Sequence, residues 1–424
     1  MKKTLFISTV SDRHSLPSVG KSRIRHFGIA LLLAALLSHS NAWAVGFRLP
    51  NQDPEAIARG NAFVATADNP AAIYYNPAGI TQLEGQTLSL GLYSISTGAK
   101  TETAAGNAET KQRFQEVPQF YYVFTPKTCP VSFGLGVYAP YGLGIDYGQT
   151  GPFQNVAKNG RLLYATIDPV IAWKITPELS IAAGPTINYS KAELNQGIAF
   201  PGDNLHFVGD DYDFGFTAGA LWQPIKQLAF GAKYHSMTTL NYQGHSTVSG
   251  FPAPVNGSMP ANASINFPQN FAVGVSYRPT ENWNLEFDAD WTDWDRLKQV
   301  TLNGTPFGSI ILPFNYKSSW MYEFGATRQL GKGYFVSAGY IYSENSSPDA
   351  NFSPLIPDSN LHLGSIGFGH HGQRWAWAFS YTLAVNPSRQ VSGSSYNTPA
   401  PGHAVDGTYR TVNTAFNASV TVKF

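Results

Sequence analysis

Leu285-Glu286-Phe287-Asp288-Ala289-Asp290-Trp291-Thr292 sets an apolar side chain at every odd position and an acid or hydroxyl at every even one. Wound as a helix, with a period of 3.6, these residues would mix on all sides; as a strand they separate onto one greasy face and one acidic face. The same rhythm recurs elsewhere. Val131, Phe133, Leu135 and Val137 alternate with Ser132, Gly134, Gly136 and Tyr138. Leu228, Phe230, Ala232 and Tyr234 alternate with Ala229, Gly231, Lys233 and His235, and Trp320, Tyr322, Phe324 and Ala326 with Ser319, Met321, Glu323 and Gly325. Trp375, Trp377, Phe379 and Tyr381 do so against Ala376, Ala378 and Ser380. The chain from residue 86 onward reads as strands.

Runs of this kind fall at 86–97, 112–125, 130–138, 161–174, 178–193, 212–223, 227–243, 266–278, 283–295, 317–329, 333–344, 361–371, 375–386 and 412–424, which makes fourteen. Their connections alternate in length. Pro126–Cys129, Ile175–Pro177, Pro224–Lys226, Pro279–Asn282, Leu330–Lys332 and Gly372–Arg374 are short, and the intervening ones are long. Short turns at one end and long loops at the other describe an outer-membrane barrel, and a soluble sandwich has no reason to keep that rhythm. Composition agrees. Charged residues are 13% and aromatics 14%, against about 25% charge in an ordinary soluble domain. Paired rings near strand ends, such as Tyr121 and Tyr122 or Trp375 and Trp377, suit the headgroup level of a bilayer. The expected fold is therefore all-β: a 14-stranded antiparallel transmembrane β-barrel, spanning 86–424.

Two regions precede it. Lys21, Arg23, Arg25 and His26 flank the apolar run Phe27–Leu37, and Ala42-Trp43-Ala44 is a small-x-small site. Residues 1–44 thus read as a secretory signal peptide, cut before Val45; the run is too short for a span of about 20 residues. The leader holds six Lys/Arg and one acid, so of 28 bases and 27 acids the mature part keeps 22 and 26, a net charge of −4. That balance offers nucleic acid no basic patch, and the single Cys129 allows no internal disulfide. Residues 45–85 are different again. Asn69-Pro70-Ala71-Ala72-Ile73-Tyr74-Tyr75-Asn76-Pro77-Ala78-Gly79-Ile80 is apolar enough for burial, yet two Asn, two Pro and a Gly forbid a long helix or a clean strand. The expectation is an N-terminal plug that the barrel encloses.

Several segments resemble the FadL/OMPP1 family of outer-membrane transporters of long-chain fatty acids and other hydrophobic compounds. Val45-Gly46-Phe47-Arg48-Leu49 is similar to its Gly-Phe-x-Leu beginning, and Arg59–Pro70 with Tyr75-Asn76-Pro77-Ala78-Gly79 resembles its N-terminal hatch. Gly134–Gly142 is similar to its third strand, and Asp213-Phe214-Gly215-Phe216, Gly231–Ser236 and Trp291-Thr292-Asp293-Trp294 to later segments. The resemblance implies an outer-membrane protein of a Gram-negative bacterium, monomeric, with both termini periplasmic and no cofactor. It also implies a route: a lipophile lands between outer loops, binds above the hatch, and leaves sideways into membrane lipid through a gap beside a kinked third strand.

Physical chemistry gives that route a reason. Taking apolar surface into water costs about 0.8 kcal/mol per CH₂, or on the order of 12 kcal/mol for a sixteen-carbon tail, so a continuous greasy path is favoured over an aqueous pore. Gly134 and Gly136 remove side chains from the inward face of the third strand, and Pro140 cannot donate a ladder bond, so the three are candidates for a kink; equally, the glycines could relieve crowding against the plug. Asn76, with Pro77 and Ala78, is the candidate for the element that meets the opening, with a turn that merely packs the plug as the competing role. Phe47 is a candidate gate or a peg that anchors the plug. Lys233, inward by parity, is the candidate for a carboxylate headgroup, with pairing to Glu286, Asp288, Asp290 or Glu323 as the competing role. Adjacent residues on a strand face opposite ways, so His235-Ser236 and His245-Ser246 make no nucleophile–base pair. His370-His371 offers no third metal ligand nearby. No enzyme is expected. Uptake of aromatic or alkane hydrocarbons is the alternative substrate reading, and a general porin the alternative class.

Overall fold

The computed structural model describes residues 46–111 and 114–424; the expected leader and its cut before Val45 lie outside the described residues. Fourteen antiparallel strands form the wall: β1 Gly85–Thr103, β2 Phe114–Thr125, β3 Val131–Tyr138 resuming as Gly142–Asp146, β4 Asn159–Lys174, β5 Leu179–Gln196, β6 Asn204–Ile225 and β7 Leu228–His235 resuming as Thr238–Ser249. They continue with β8 Gly257–Phe267 resuming as Asn270–Thr280, β9 Trp283–Thr292, β10 Ser319–Gly331, β11 Tyr334–Ser343, β12 Leu361–His371, β13 Trp375–Val385 and β14 Gly407–Lys423. Pairing of β1 with β14, from Thr87 with Lys423 to Thr103 with Gly407, closes the sheet. Joining the first strand to the last in this way is what lets strands cross a membrane. Several strands run beyond the expected ends. The stretch expected as a loop at 244–265 is mostly strand, because β7 and β8 stay paired from Thr238 with Phe267 to Val248 with Gly257.

Alternation sorts the two faces as the sequence requires. On β9, Leu285 and Phe287 are exposed while Glu286, Asp288 and Asp290 are buried. Trp222, Phe230, Phe324, Phe368 and Trp375 likewise point outward. An inverted protein of this kind, greasy outside and polar within, suits lipid.

The segment ahead of β1 supplies what the acids face. It folds as α1 Pro54–Ala58, α2 Ala72–Tyr75 and a 3₁₀ turn Pro77–Gln82. Asp53 caps α1, accepting from the amides of Glu55 (3.0 Å) and Ala56 (3.1 Å), with Pro54 at the first helical position. So short a helix depends on its cap and its packing. Contacts of α1 go to β11–β14, and those of the 3₁₀ turn to β2–β6. The segment therefore touches opposite arcs of the wall from inside.

Candidate functional site

Two acids of β9 hold the inner segment through its main chain. Asp288 Oδ2 accepts from the amides of Phe63 and Val64, both at 2.8 Å. Glu286 Oε1 accepts from Ala65 (2.7 Å) and Thr66 (3.1 Å), and its other oxygen takes Arg59 Nη2 at 3.1 Å. Asp290 binds Arg48 through two parallel bonds of 2.8 Å, the bidentate form in which Arg–carboxylate pairs are strongest. Glu286 and Asp288 thus serve main-chain amides, and Asp290 a guanidinium. Lys233 lies in the same group. Its ammonium is 3.6 Å from Asp290 and 4.7 Å above the Tyr74 ring, and it is almost wholly buried.

The wall is breached beside β3. Its ladder with β2 runs only from Phe120 with Val137 to Phe124 with Phe133, whereas β4 stays paired with both halves of β3. Among the described residues, Phe114–Gln119 of β2 thus have no ladder partner on the β3 side. The break falls at Ala139-Pro140-Tyr141, and Pro118 stands in the unpaired part of β2. Proline belongs at such an edge because it has no amide to offer; this second proline was a signal the sequence reading passed over.

Residues 47–52 lie at the breach. Arg48 and Tyr141 form an antiparallel bridge. The Leu49 amide donates to the Pro140 carbonyl (2.8 Å), and the Gly142 amide to the Phe47 carbonyl (2.9 Å). Gln52 Nε2 donates to the Ala139 carbonyl at 2.7 Å. From the other bank, Gln119 Nε2 donates to the Asn51 carbonyl (3.2 Å) and the Tyr121 hydroxyl to the Gln52 carbonyl (3.1 Å). Residues 47–52 therefore bond main chain to main chain with the β3 bank and accept side-chain donors from the β2 bank. Gln52 and Gln119 carried no periodic signal that could have singled them out.

The other candidates fall around this point. The Phe47 ring is buried against Trp294, Phe267 and Tyr141, at centroid distances of 4.9, 5.7 and 6.1 Å. The first two contacts are edge-to-face, the favoured arrangement of aromatic pairs. Gly134 and Gly136 leave room for Ile73: a Cβ on either would come within about 3 Å of that side chain. Asn76 meets the wall elsewhere. Its Nδ2 donates to Val64 (2.8 Å) and to the Ala220 carbonyl of β6 (2.9 Å), and its Oδ1 takes the Ala78 amide at 3.2 Å. Pro77 rests on Gly219, where a Cβ would stand 2.8 Å from its Cδ. The motif is thus placed against β6, and Ile73 rather than Asn76 lies beside Gly134 and Gly136.

Two cavities adjoin the inner segment. One of about 100 Å³ lies toward the short turns and is lined by Glu55, Arg59, Asp68, Arg278 and His371, charges unsuited to a lipophile. The other, about 30 Å³, reaches Pro140 and Tyr141 at the breach. It has room for a water or two and is far too small for an acyl chain.

Comparison with known proteins agrees with the geometry. Residues 35–424 match the family model described as outer membrane protein transport protein (OMPP1/FadL/TodX). A long-chain fatty acid transport protein of Escherichia coli O6:H1 is 23% identical over 388 residues, covering 80% of this chain and 86% of the relative. Among solved structures, a Pseudomonas aeruginosa FadL homologue is similar with a TM-score of 0.79 at 18% identity, over 90% of this chain and all of that one. The Pseudomonas putida toluene transporter TodX gives 0.70 at 16% identity, over 89% and 99%.

Proposed function

The chain belongs to the OMPP1/FadL/TodX family of outer membrane transport proteins, and from that premise we propose that it carries long-chain fatty acids or similar lipophiles inward across the outer membrane. Residues 45–85 act as the plug, and the substrate binds above it in the aromatic pocket that Phe47 fills. Exit is lateral, into membrane lipid, through the breach at Pro140, just beyond the paired stretch of β3 that holds Gly134 and Gly136. The observation that carries this reading is the bridge of residues 47–52 across the breach. Moving that segment empties the pocket and unseals the wall in one step. Asn76, Pro77 and Ala78 keep the plug seated against β6 while its leading end moves. Both barrel ends at Gly85 and Phe424 lie with the short turns, since the Phe424 amide donates to Gln86; this supports periplasmic termini. The closed wall needs no second copy, which supports a monomer.

Aromatic hydrocarbon uptake is favoured by a different observation. Lys233, Arg48 and Arg59 are all paired with acids, so a carboxylate headgroup must draw Lys233 away from Asp290. Uptake of labelled oleate and of toluene by Gram-negative cells lacking their own transporter, with a small sugar as control, tests the reading. Oleate uptake above that of untransformed cells supports it; toluene alone selects the hydrocarbon; sugar alone makes the protein a porin. Oleate binding unchanged in Lys233→Ala removes that residue from the headgroup site.

A further inference from the structure

A second interruption of the wall lies between β6 and β7. Ladder pairs join Asn204–Asp210 to Gln243–Ser249 and Thr217–Trp222 to Phe230–His235. Among the described residues, none joins 211–216 to 236–242. Side chains stand in for the missing main-chain acceptors. The Thr239 amide donates to Asp213 Oδ2 (2.7 Å), the Asn241 amide to Asp211 Oδ2 (2.6 Å) and the Phe216 amide to Ser236 Oγ (2.8 Å). A main-chain bond runs from the Ser236 amide to the Phe216 carbonyl at 2.9 Å. A carboxylate set between strands holds them farther apart than the direct ladder, whose spacing is about 4.8 Å. It also releases by rotation of one side chain, with no strand refolding.

Each side of this seam has the right surroundings. Outward, Tyr212, Phe214, Phe216 and Met237 are exposed where lipid meets the wall. Inward, the 30 Å³ cavity runs from Pro140 and Tyr141 at the breach to Thr186, Asn188, Ser236 and Thr238 at the seam. One cavity therefore touches both interruptions. At the seam it offers hydroxyls and amides, and among the described residues no Lys or Arg lines it. Lys233 and Arg48 stand behind the lining residues Tyr74 and Asn270, but both are already paired with Asp290, so an ionised carboxylate at the seam would be buried with no unshared counter-charge, which is costly; an uncharged hydrogen-bonding head would not be.

We propose that the β6–β7 seam is a second lateral passage between lumen and bilayer, taking amphiphiles with an uncharged hydrogen-bonding head, with Asp211 and Asp213 as its releasable bars. The passage rests on the transport reading above but uses a different part of the wall. The test is photolabelling of the full-length protein in outer-membrane vesicles, using a twelve-carbon alcohol and a twelve-carbon carboxylate that carry the same diazirine. The alcohol labels peptides containing Phe216, Ser236 and Thr238 several-fold more than the carboxylate does. Asp213→Ala raises that labelling, whereas Asp213→Asn, which keeps an acceptor oxygen, leaves it near the wild-type level. Heat-dependent migration on gels confirms that each variant is folded. Labelling confined to Tyr138 and Tyr141 overturns the passage and leaves transport through the β3 breach standing. Equal labelling by both probes, or equal labelling in Ala and Asn variants, also overturns the proposal.

Discussion

Asn76 has no solvent exposure, and its side chain ties together Val64 within the plug and Ala220 on β6. Truncating it leaves two buried carbonyls without that donor, at a cost of roughly 1–3 kcal/mol. Asn76→Ala is expected to leave the barrel intact but to raise amide exchange across residues 63–80, measured by mass spectrometry. Asp53 gives the plug a pH dependence. Burial first, and then the like charge of Glu55, push its carboxyl from the ordinary carboxylate range up to about 7. A folded value above the unfolded one means the folded state binds the extra proton between about pH 4 and pH 7. Stability of this helix therefore falls as pH rises through that window, by about 1.4 kcal/mol for each unit of difference. Protection of the α1 amides, taken relative to their base-catalysed intrinsic exchange, is expected to be lower at pH 7.5 than at pH 5, and Asp53→Asn to flatten the change.

At the scale of elements, the breach has two banks and a filler. Leu49→Pro removes the amide that donates to Pro140 while keeping an apolar side chain of similar bulk, so the filler should sit loosely. Expected are faster cleavage near residue 49 by added protease and a higher basal uptake rate, by a few-fold. Unchanged values for both would place the seal elsewhere. Much of this was legible in sequence. Alternation on β9 and β10 sorted strand faces because one side meets lipid and the other meets charge, and Pro140 falls where β3 is interrupted, whereas Gly134 and Gly136 lie in the part of β3 that stays paired with β2. The partner of Asn76 was not legible. Pairing across 144 residues depends on the register of the closed sheet, which no local pattern encodes. Gly219 was the available hint, since it clears the space that Pro77 occupies.

As a whole molecule, the barrel uses its acidic face twice. Glu286 and Asp288 fix the middle of the plug through main-chain amides, while Asp290 holds its leading end through Arg48. Asp288→Ala should therefore loosen the plug without releasing residues 47–52, and Asp290→Ala should do the reverse; cleavage sites mapped by limited proteolysis distinguish the two. Sequence parity put these acids in the lumen. Their division of labour was hidden, because it lies in which amide each one meets. The central claim is that the segment filling the breach must move for substrate to pass. Arg48 and Tyr141 face each other as an antiparallel bridge without direct hydrogen bonds between them, and such pairs have Cα atoms about 4.5 Å apart, within disulfide range. The most direct test is oleate uptake by cells carrying Arg48→Cys and Tyr141→Cys together with Cys129→Ser, under oxidising and then reducing conditions. Uptake that falls to background when the bridge forms and returns when it is reduced is the predicted result; uptake indifferent to the bridge would contradict it.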